Sequence, residues 1–521
     1  MPDSPTNNFA TMNPLFRSNI NNRTISEGNL KYRPSTDDIF AGNFGISSGK
    51  YYFEIYVNDI EGTNNFFGIT QETSTDLSKS VHYRSGSGQI VDNISSASTQ
   101  TSLSNAANGN IVSISVDLDG GTVQFKLNNS NVGSAVTIPS GTYFAITANG
   151  NSSISGAKIW TFNFGQDSSF AGAATAQGNA DANGIGDFYY APPSGFLALC
   201  TANLPDPVAA VDPAQGGSPQ DYFNTVLYTG NGSTQSITGV GFQPDWIWIK
   251  ERSSTSSHAL FDSVRGVNKV LASDLADEED TSNSTLMTAF GSDGFSLGNN
   301  NRTNQNTITH VAWNWKAGTA FSNDASATGV GSIDSAGSVN TDVGFSIISY
   351  TSTTGTVAHG LGVTPNVIII KPRNNTDQWT VGHHFLNSGS SPWNYGIPLN
   401  TTAATQTNSG FWNNTAPTSS VFSIGSWNNS YNMIAYCFAE VVGYSKFGTY
   451  VGNQSTDGPY VYTGFRPAFV MTISATSASN RAVWDTKRPG YNLINLALLA
   501  ENTISEQSGT YLIDSLSNGF K

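Results

Sequence analysis

The sequence predicts an all-β, elongated, multi-domain chain, and three observations carry that expectation. Short runs alternate apolar and polar residues between clusters of Gly, Asn and Ser, which is the period-two signature of strands. A module occurs three times from residue 208 onward. Only 12% of the 521 residues are charged, while 29 Phe, 20 Tyr and 10 Trp supply ample core material. That balance excludes a coiled coil and a disordered chain.

Tyr51-Tyr52-Phe53-Glu54-Ile55-Tyr56-Val57 reads as a strand leaving the turn Ser48-Gly49-Lys50. Ile111 to Val116 alternates Ile/Val with Ser, the pattern of a half-buried strand. Asp117-Leu118-Asp119-Gly120-Gly121 then turns the chain into Thr122-Val123-Gln124-Phe125-Lys126-Leu127. A calcium loop would offer similar oxygens, but no downstream Glu completes one, so a hairpin turn is expected. Helical patterning is confined to a weak stretch around Lys269 to Asp280.

In the repeat, Tyr228-Thr229-Gly230-Asn231-Gly232-Ser233-Thr234 returns as Tyr450-Val451-Gly452-Asn453-Gln454-Ser455-Thr456, with a degenerate copy at Tyr350-Thr351. Each leads to a proline and a hydrophobic strand: Pro244-Asp245-Trp246-Ile247-Trp248-Ile249, Pro365-Asn366-Val367-Ile368-Ile369-Ile370 and Pro467-Ala468-Phe469-Val470-Met471. Proline suits a strand entrance, where no ladder donor is needed. Gly294-Phe295-Ser296-Leu297-Gly298 leads to a closing strand, Val311-Ala312-Trp313-Asn314-Trp315. Likewise Val421-Phe422-Ser423-Ile424-Gly425 leads to Ile434-Ala435-Tyr436-Cys437-Phe438. Asn518-Gly519-Phe520 matches only the first half of that signature, so the third module is expected to be completed by a partner chain or to belong to a longer product.

The expected boundaries are 1–207 for a first unit with an N-terminal arm and the Pro-rich exit Leu204-Pro205-Asp206-Pro207, and 208–318 for the first module. A Gly/Ser/Ala-rich linker follows at 319–343, then the second module at 344–446 and the incomplete third at 447–521.

Two resemblances add to this. Gly49-Lys50-Tyr51-Tyr52-Phe53-Glu54-Ile55, Phe67-Gly68-Ile69, Tyr83-Arg84-Ser85-Gly86-Ser87-Gly88 and the hairpin from Val116 to Phe125 follow one another as in SPRY domains. The resemblance, over roughly Asn29 to Gly165, implies a non-enzymatic β-sandwich that binds partners through loops. The segment Phe188 to Pro205, with Ala435 to Glu440, Gly443 to Gly448 and the opening Asp3 to Phe9, resembles bacteriophage tail-fibre and virion surface proteins, especially of marine phages. That resemblance implies a tail fibre or fibre-like protein on the virion, assembled in the host cytoplasm. Host adsorption by recognition of a surface glycan or outer-membrane receptor would follow. Its partners would then include other tail proteins and copies of itself, as in a homotrimer; a purely architectural role and a polysaccharide depolymerase are the alternatives.

Charge and composition narrow the functions. With 37 acids against 23 bases the net charge is −14, which gives no basic footprint for nucleic acid or anionic membranes. The opening residues have neither the basic nor the apolar region of a signal peptide, and no apolar run reaches about 18 residues. Cys200 and Cys437 lie far apart and read as buried free thiols. No cofactor or metal is expected.

No carboxylate pair suggests glycoside hydrolysis, and no Ser-His-Asp arrangement stands out, so no catalytic residue is assigned and an enzyme is not expected. The acidic run Asp274, Asp277, Glu278, Glu279 and Asp280 reads as a solvated face. His383 and His384, adjacent on a strand, point to opposite sides and suit no simple metal site. Trp246, Trp248, Trp313 and Trp315 alternate as core residues do. Trp393, Tyr395, Trp412, Asn413, Asn414, Trp427 and Asn428 differ: they lie in loop-like Trp-Asn stretches. Rings that stack on sugar faces beside amides that bind hydroxyls suit a glycan, so these seven are the candidate binding residues.

Overall fold

The computed structural model describes residues 7–16, 24–34, 38–60, 62, 64–71, 77–95, 99–150, 158–427, 429–453, 456 and 458–521. Strands dominate, and the chain divides into two compact units. The first comprises Met1–Pro205, Tyr450–Gly464 and Lys521, the second Asp206–Thr449 and Phe465–Phe520.

The first unit is a two-sheet sandwich. Lys50–Asp59 is central to one sheet, between Ile159–Asn163 and Ile111–Asp117. The other sheet orders Asp38–Ala41, Phe144–Asn149, Asn65–Thr70, Ser80–Ser85 and Gln89–Asp92. Phe53, Ile55, Ile114 and Trp160 meet Phe40, Phe67, Ile69 and Tyr83 in one core. The Phe67 and Trp160 rings meet edge to face at 5.3 Å. Asp117 and Thr122 face each other across the expected hairpin, where Asp117 accepts the Gly120 amide and pairs with Lys50 at 2.8 Å.

Ile111–Asp117 departs from the half-buried expectation, since Ser113 and Ser115 are buried as well. Glu54, opposite Ser113, explains the covered second face. Its carboxylate accepts the amides of Tyr189 and Tyr190, the Tyr52 hydroxyl and the Asn163 side-chain amide, pinning the 188–190 segment over the sheet.

Burial lifts Glu54 to about 7, although all four donors favour its charged form. The folded state therefore keeps this proton up to about pH 7, whereas the unfolded chain releases it near 4.5. Between those values the folded state binds more protons, so this carboxyl makes unfolding free energy fall as pH rises, by about 3 kcal/mol across the window. Denaturant titrations from pH 4 to 8 should show that decline, and Glu54→Gln should flatten it. The same substitution turns an amide toward two of the donors and costs about 1–3 kcal/mol at pH 5.

In the second unit the first two modules share a strand order. Phe223–Thr229, Thr309–Trp315, Trp246–Glu251 and Ala259–Asp262 form the first sheet. The second places Phe345–Thr351, Asn432–Phe438, Val367–Pro372 and Thr380–His383 in the same sequence. The third has Phe469–Thr472, Ala482–Asp485, Ile494–Leu499 and Gln507–Ile513.

Two expectations fail here. Residues 319–343 are no linker: Thr319–Asn323 and Ser335–Asn340 extend the second sheet beyond Phe345–Thr351. The glycine that suggested flexibility is a packing requirement, because a Cβ on Gly337 would sit against the Ile347 carbonyl. Nor is there a helix from Lys269 to Asp280, where Leu271 bridges to Leu260 and Val270 to Asp280.

The three modules close into a ring with a shared core that includes Trp246, Trp248, Trp313, Phe345, Ile369, Tyr436, Val483 and Leu498. The joints repeat. Arg373 grips Glu279 with two hydrogen bonds of 3.0 Å, and the Glu279 amide donates to the Arg373 carbonyl. Glu279 also receives Arg265, which pairs with the buried Asp262, and Asp262 accepts the Tyr436 hydroxyl at 2.7 Å. Between the first and third modules, Arg252, Glu506, Arg488, Asp485 and the Trp313 indole N–H take the same places. Lys371 donates to the Ala276 carbonyl as Lys250 does to that of Thr503. The joint between the third and second modules keeps the backbone part, with Ser479 donating to the Thr402 carbonyl and Thr405 to that of Ala475, and in place of the ion pairs the buried Arg481 guanidinium donates to the Pro398 and Ala403 carbonyls.

The acidic run is therefore not a solvated face. Asp274 is buried and accepts the His258 amide, and Glu279 sits between two guanidiniums. Burial pushes Glu279 up, but the hydrogen bond from Arg373 and the charge of Arg265 hold it below the usual carboxylate range. Only Asp277 and Glu278 of the run are exposed.

Candidate functional site

The Trp-Asn loops of the second module lie over its sheet, with ring and amide playing different parts. Trp393 and Trp412 are 5% and 0% exposed and meet edge to face at 5.3 Å. The Trp412 indole N–H donates to the Tyr395 carbonyl at 2.9 Å. Gly382, on the strand beneath, permits this approach: a Cβ there would lie 2.5 Å from Trp393 and 2.7 Å from Trp412. The expected stacking role of Trp393 and Trp412 is thus corrected, since protein covers both rings and leaves no face for a sugar. They anchor the loops.

Tyr395 is half-buried at the head of Tyr395–Pro398. Trp427 is half-buried, with its ring edge-on to Phe411 at 5.4 Å. Asn428 lies outside the described residues, as do Asp3 to Thr6 of the opening motif.

Asn413 and Asn414 are exposed and follow the short helix Ser409–Trp412, whose N-cap Asn408 accepts the Gly410 amide. Their φ angles are 51° and 50°, a left-handed conformation that asparagine tolerates better than most residues. The Asn413 amide donates to the Ser409 carbonyl, ending the helix. Neither carboxamide bonds to any described residue, so both stand on a Trp-anchored mount with their hydrogen-bonding capacity unspent.

The remaining candidates serve the fold. His384 lies between Asn366 and the Phe447 carbonyl. Burial, then the neighbouring His384, pulls His383 down to about 3, so His383 is neutral. Cys200 and Cys437 are buried free thiols, and Trp246, Trp248, Trp313 and Trp315 are in the core. Among the described residues no three His, Cys, Asp or Glu side chains are grouped to hold a metal ion. An open groove of about 420 Å³ is lined by Tyr222, Lys316, Val339, Asn340 and Asp342, with the Lys316 ammonium 5.4 Å from the Tyr222 ring centre.

Residues 218–521 match the family described as "Domain of unknown function (DUF7483)". The chain belongs to the DUF7483 family. The DUF7483 span contains all three modules and the Asn413–Asn414 turn. No curated protein matches the chain.

Among solved structures, the SPRY domain of human HERC1 is 17% identical, covers 27% of this chain and 91% of its own, and has a TM-score of 0.24. The TRIM65 PSpry domain is 12% identical, covers 30% and 89%, and has the same TM-score of 0.24. The sandwich of the first unit rests on its own strand pairing.

Sequence reasoning missed the joint residues of the DUF7483 region, although their spacing was there to read. Arg252 and Arg373 each stand eight residues after a repeat proline, Pro244 and Pro365. Asp262-Ser263-Val264-Arg265 recurs as Asp485-Thr486-Lys487-Arg488. Both pairs lie at matching places in their modules, which marks them as parts of the joint.

Proposed function

We propose that this chain is a bacteriophage virion surface protein of the tail-fibre kind that adsorbs to a bacterial surface glycan without chemistry on it. It would be mounted on the particle with other tail proteins and copies of itself. One observation carries the reading: Asn413 and Asn414 present unspent carboxamides from a turn fixed by buried tryptophans. Such a preorganised amide pair suits sugar hydroxyls, because little freedom is lost when it binds. The half-exposed Trp427 nearby offers a partial apolar face. The low charge and hydroxyl-rich composition suit a hydrated surface outside the cell.

The test is binding of the full chain to an array of bacterial O-antigen and capsular polysaccharides, with hits repeated in solution by co-elution. Asn413→Ala with Asn414→Ala should lower affinity at least tenfold while leaving the unfolding midpoint within about 2 °C, since surface changes alter stability little. Unchanged binding in the double variant would sink the assignment of the turn. Shortened glycan would replace adsorption by depolymerisation.

The burial of Trp393 and Trp412 favours a second reading, an architectural virion protein, and that reading predicts no hit on the array.

A further inference from the structure

The third module's Pro-led strand is exposed where its two counterparts are covered. Trp246–Glu251 lies between Ala259–Asp262 and Thr309–Trp315, and Val367–Pro372 between Thr380–His383 and Asn432–Phe438. Among the described residues Phe469–Thr472 pairs with Ala482–Asp485 alone and forms the edge of its sheet. Burial marks the same difference. The core-facing residues Trp246, Trp248 and Lys250 are buried, as are Val367, Ile369 and Lys371. Their equivalents Phe469, Met471 and Ile473 pack on the shared core but stay half-exposed.

Proteins blunt open edges with charges, bulges or short twisted strands. Phe469-Val470-Met471-Thr472 carries no charge, and its pairing with Ala482–Asp485 runs without a bulge.

We propose that this edge accepts a β-strand of the kind that closes the other two modules, antiparallel to Phe469–Thr472, with aromatic residues opposite Phe469 and Met471 and a small residue opposite Thr472. The two covered strands specify that pattern. Trp315 and Trp313 lie opposite Trp246 and Trp248, and Phe438 and Tyr436 opposite Val367 and Ile369. The small residues Ala312 and Ala435 lie opposite Ile249 and Ile370. Backbone bonds to the bare edge supply affinity, and the alternating aromatics supply register.

One further choice follows from His383, which holds in the second module the place that Asp262 and Asp485 hold in the others. Those aspartates accept the Tyr436 hydroxyl and the Trp313 indole N–H. The His383 Nδ1 accepts the Phe385 amide, which leaves Nε2 to donate. A tyrosine oxygen can accept that proton and an indole cannot, so the aromatic opposite Met471 is tyrosine.

A peptide copying Tyr431–Ala439 tests this with the full chain. It should bind saturably and slow hydrogen exchange at the amides of 469–472 at least tenfold, with no such slowing at 246–251. The same peptide N-methylated at the amides that face the edge keeps the side chains, loses the ladder and should not bind. A Tyr436→Trp version should bind at least tenfold more weakly. Three results would overturn the proposal: amides of 469–472 already as protected in the free chain as those of 246–251, equal binding of the methylated peptide, or protection that grows with protein concentration alone. The last would mean that a second copy covers the edge.

Discussion

Asp262→Ala will cost the second unit about 3–5 kcal/mol of unfolding free energy, the scale for breaking a buried ion pair from one side. Asp262 and Arg265 are both wholly buried, and Asp262 accepts the Tyr436 hydroxyl from the neighbouring module. Removing the carboxylate leaves the Tyr436 hydroxyl without its acceptor and the buried Arg265 guanidinium with Glu279 as its remaining carboxylate. Urea unfolding followed by tryptophan fluorescence reads the loss, with Asp485→Ala giving a loss of the same size at the equivalent joint. Arg373→Ala should cost less, because Arg373 is 19% exposed and water can replace part of what it gives. A double variant, Asp262→Leu with Arg265→Met, should recover most of the stability. A loss below about 1 kcal/mol for Asp262→Ala would mean that the joint does not hold the ring, whatever its geometry.

Trp412→Ala should cost about 3–5 kcal/mol, the range for truncating a large buried aromatic. The ring is wholly buried against Trp393, and its N–H satisfies the Tyr395 carbonyl, so truncation opens a cavity and orphans an acceptor. Trp427→Ala, at a half-exposed ring, should cost about 1 kcal/mol. If the Trp412 variant keeps the wild-type midpoint while glycan binding falls, the ring is a contact and not an anchor.

The strands were legible because period two is a local property. Trp246 and Trp248, and Trp313 and Trp315, declare a shared face without knowledge of what lies above it. What lies above is where local evidence ran out. Glu279 read as solvated because Arg373, which grips it, is 94 residues away, and Asp274 because nothing beside it shows that it caps the His258 amide. Trp393 and Trp412 read as ligand platforms because nothing beside them reveals that Gly382 leaves room for two indoles on the strand below. Residues 319–343 read as a linker because glycine and serine suggest freedom, yet Val339 is buried in the core and Phe321 packs on it, which holds the strands in place. Of the seven candidates, the asparagines Asn413 and Asn414 are at the surface, and the tryptophans Trp393 and Trp412 expected beside them as partners are buried as their support.

The ring also sets a timetable for synthesis. Arg373 follows Glu279 by 94 residues, so the first and second modules can lock soon after both emerge. Arg252 must wait 254 residues for Glu506. At about 5–20 residues per second, that is a delay of about 13–50 s with one side of the first module uncovered. Closure is then a late, long-range event, the slow class of folding step. Slowed translation between the second and third modules would prolong the interval in which Trp313 lacks Asp485, making nascent chains of about 450 residues the most aggregation-prone stage of synthesis.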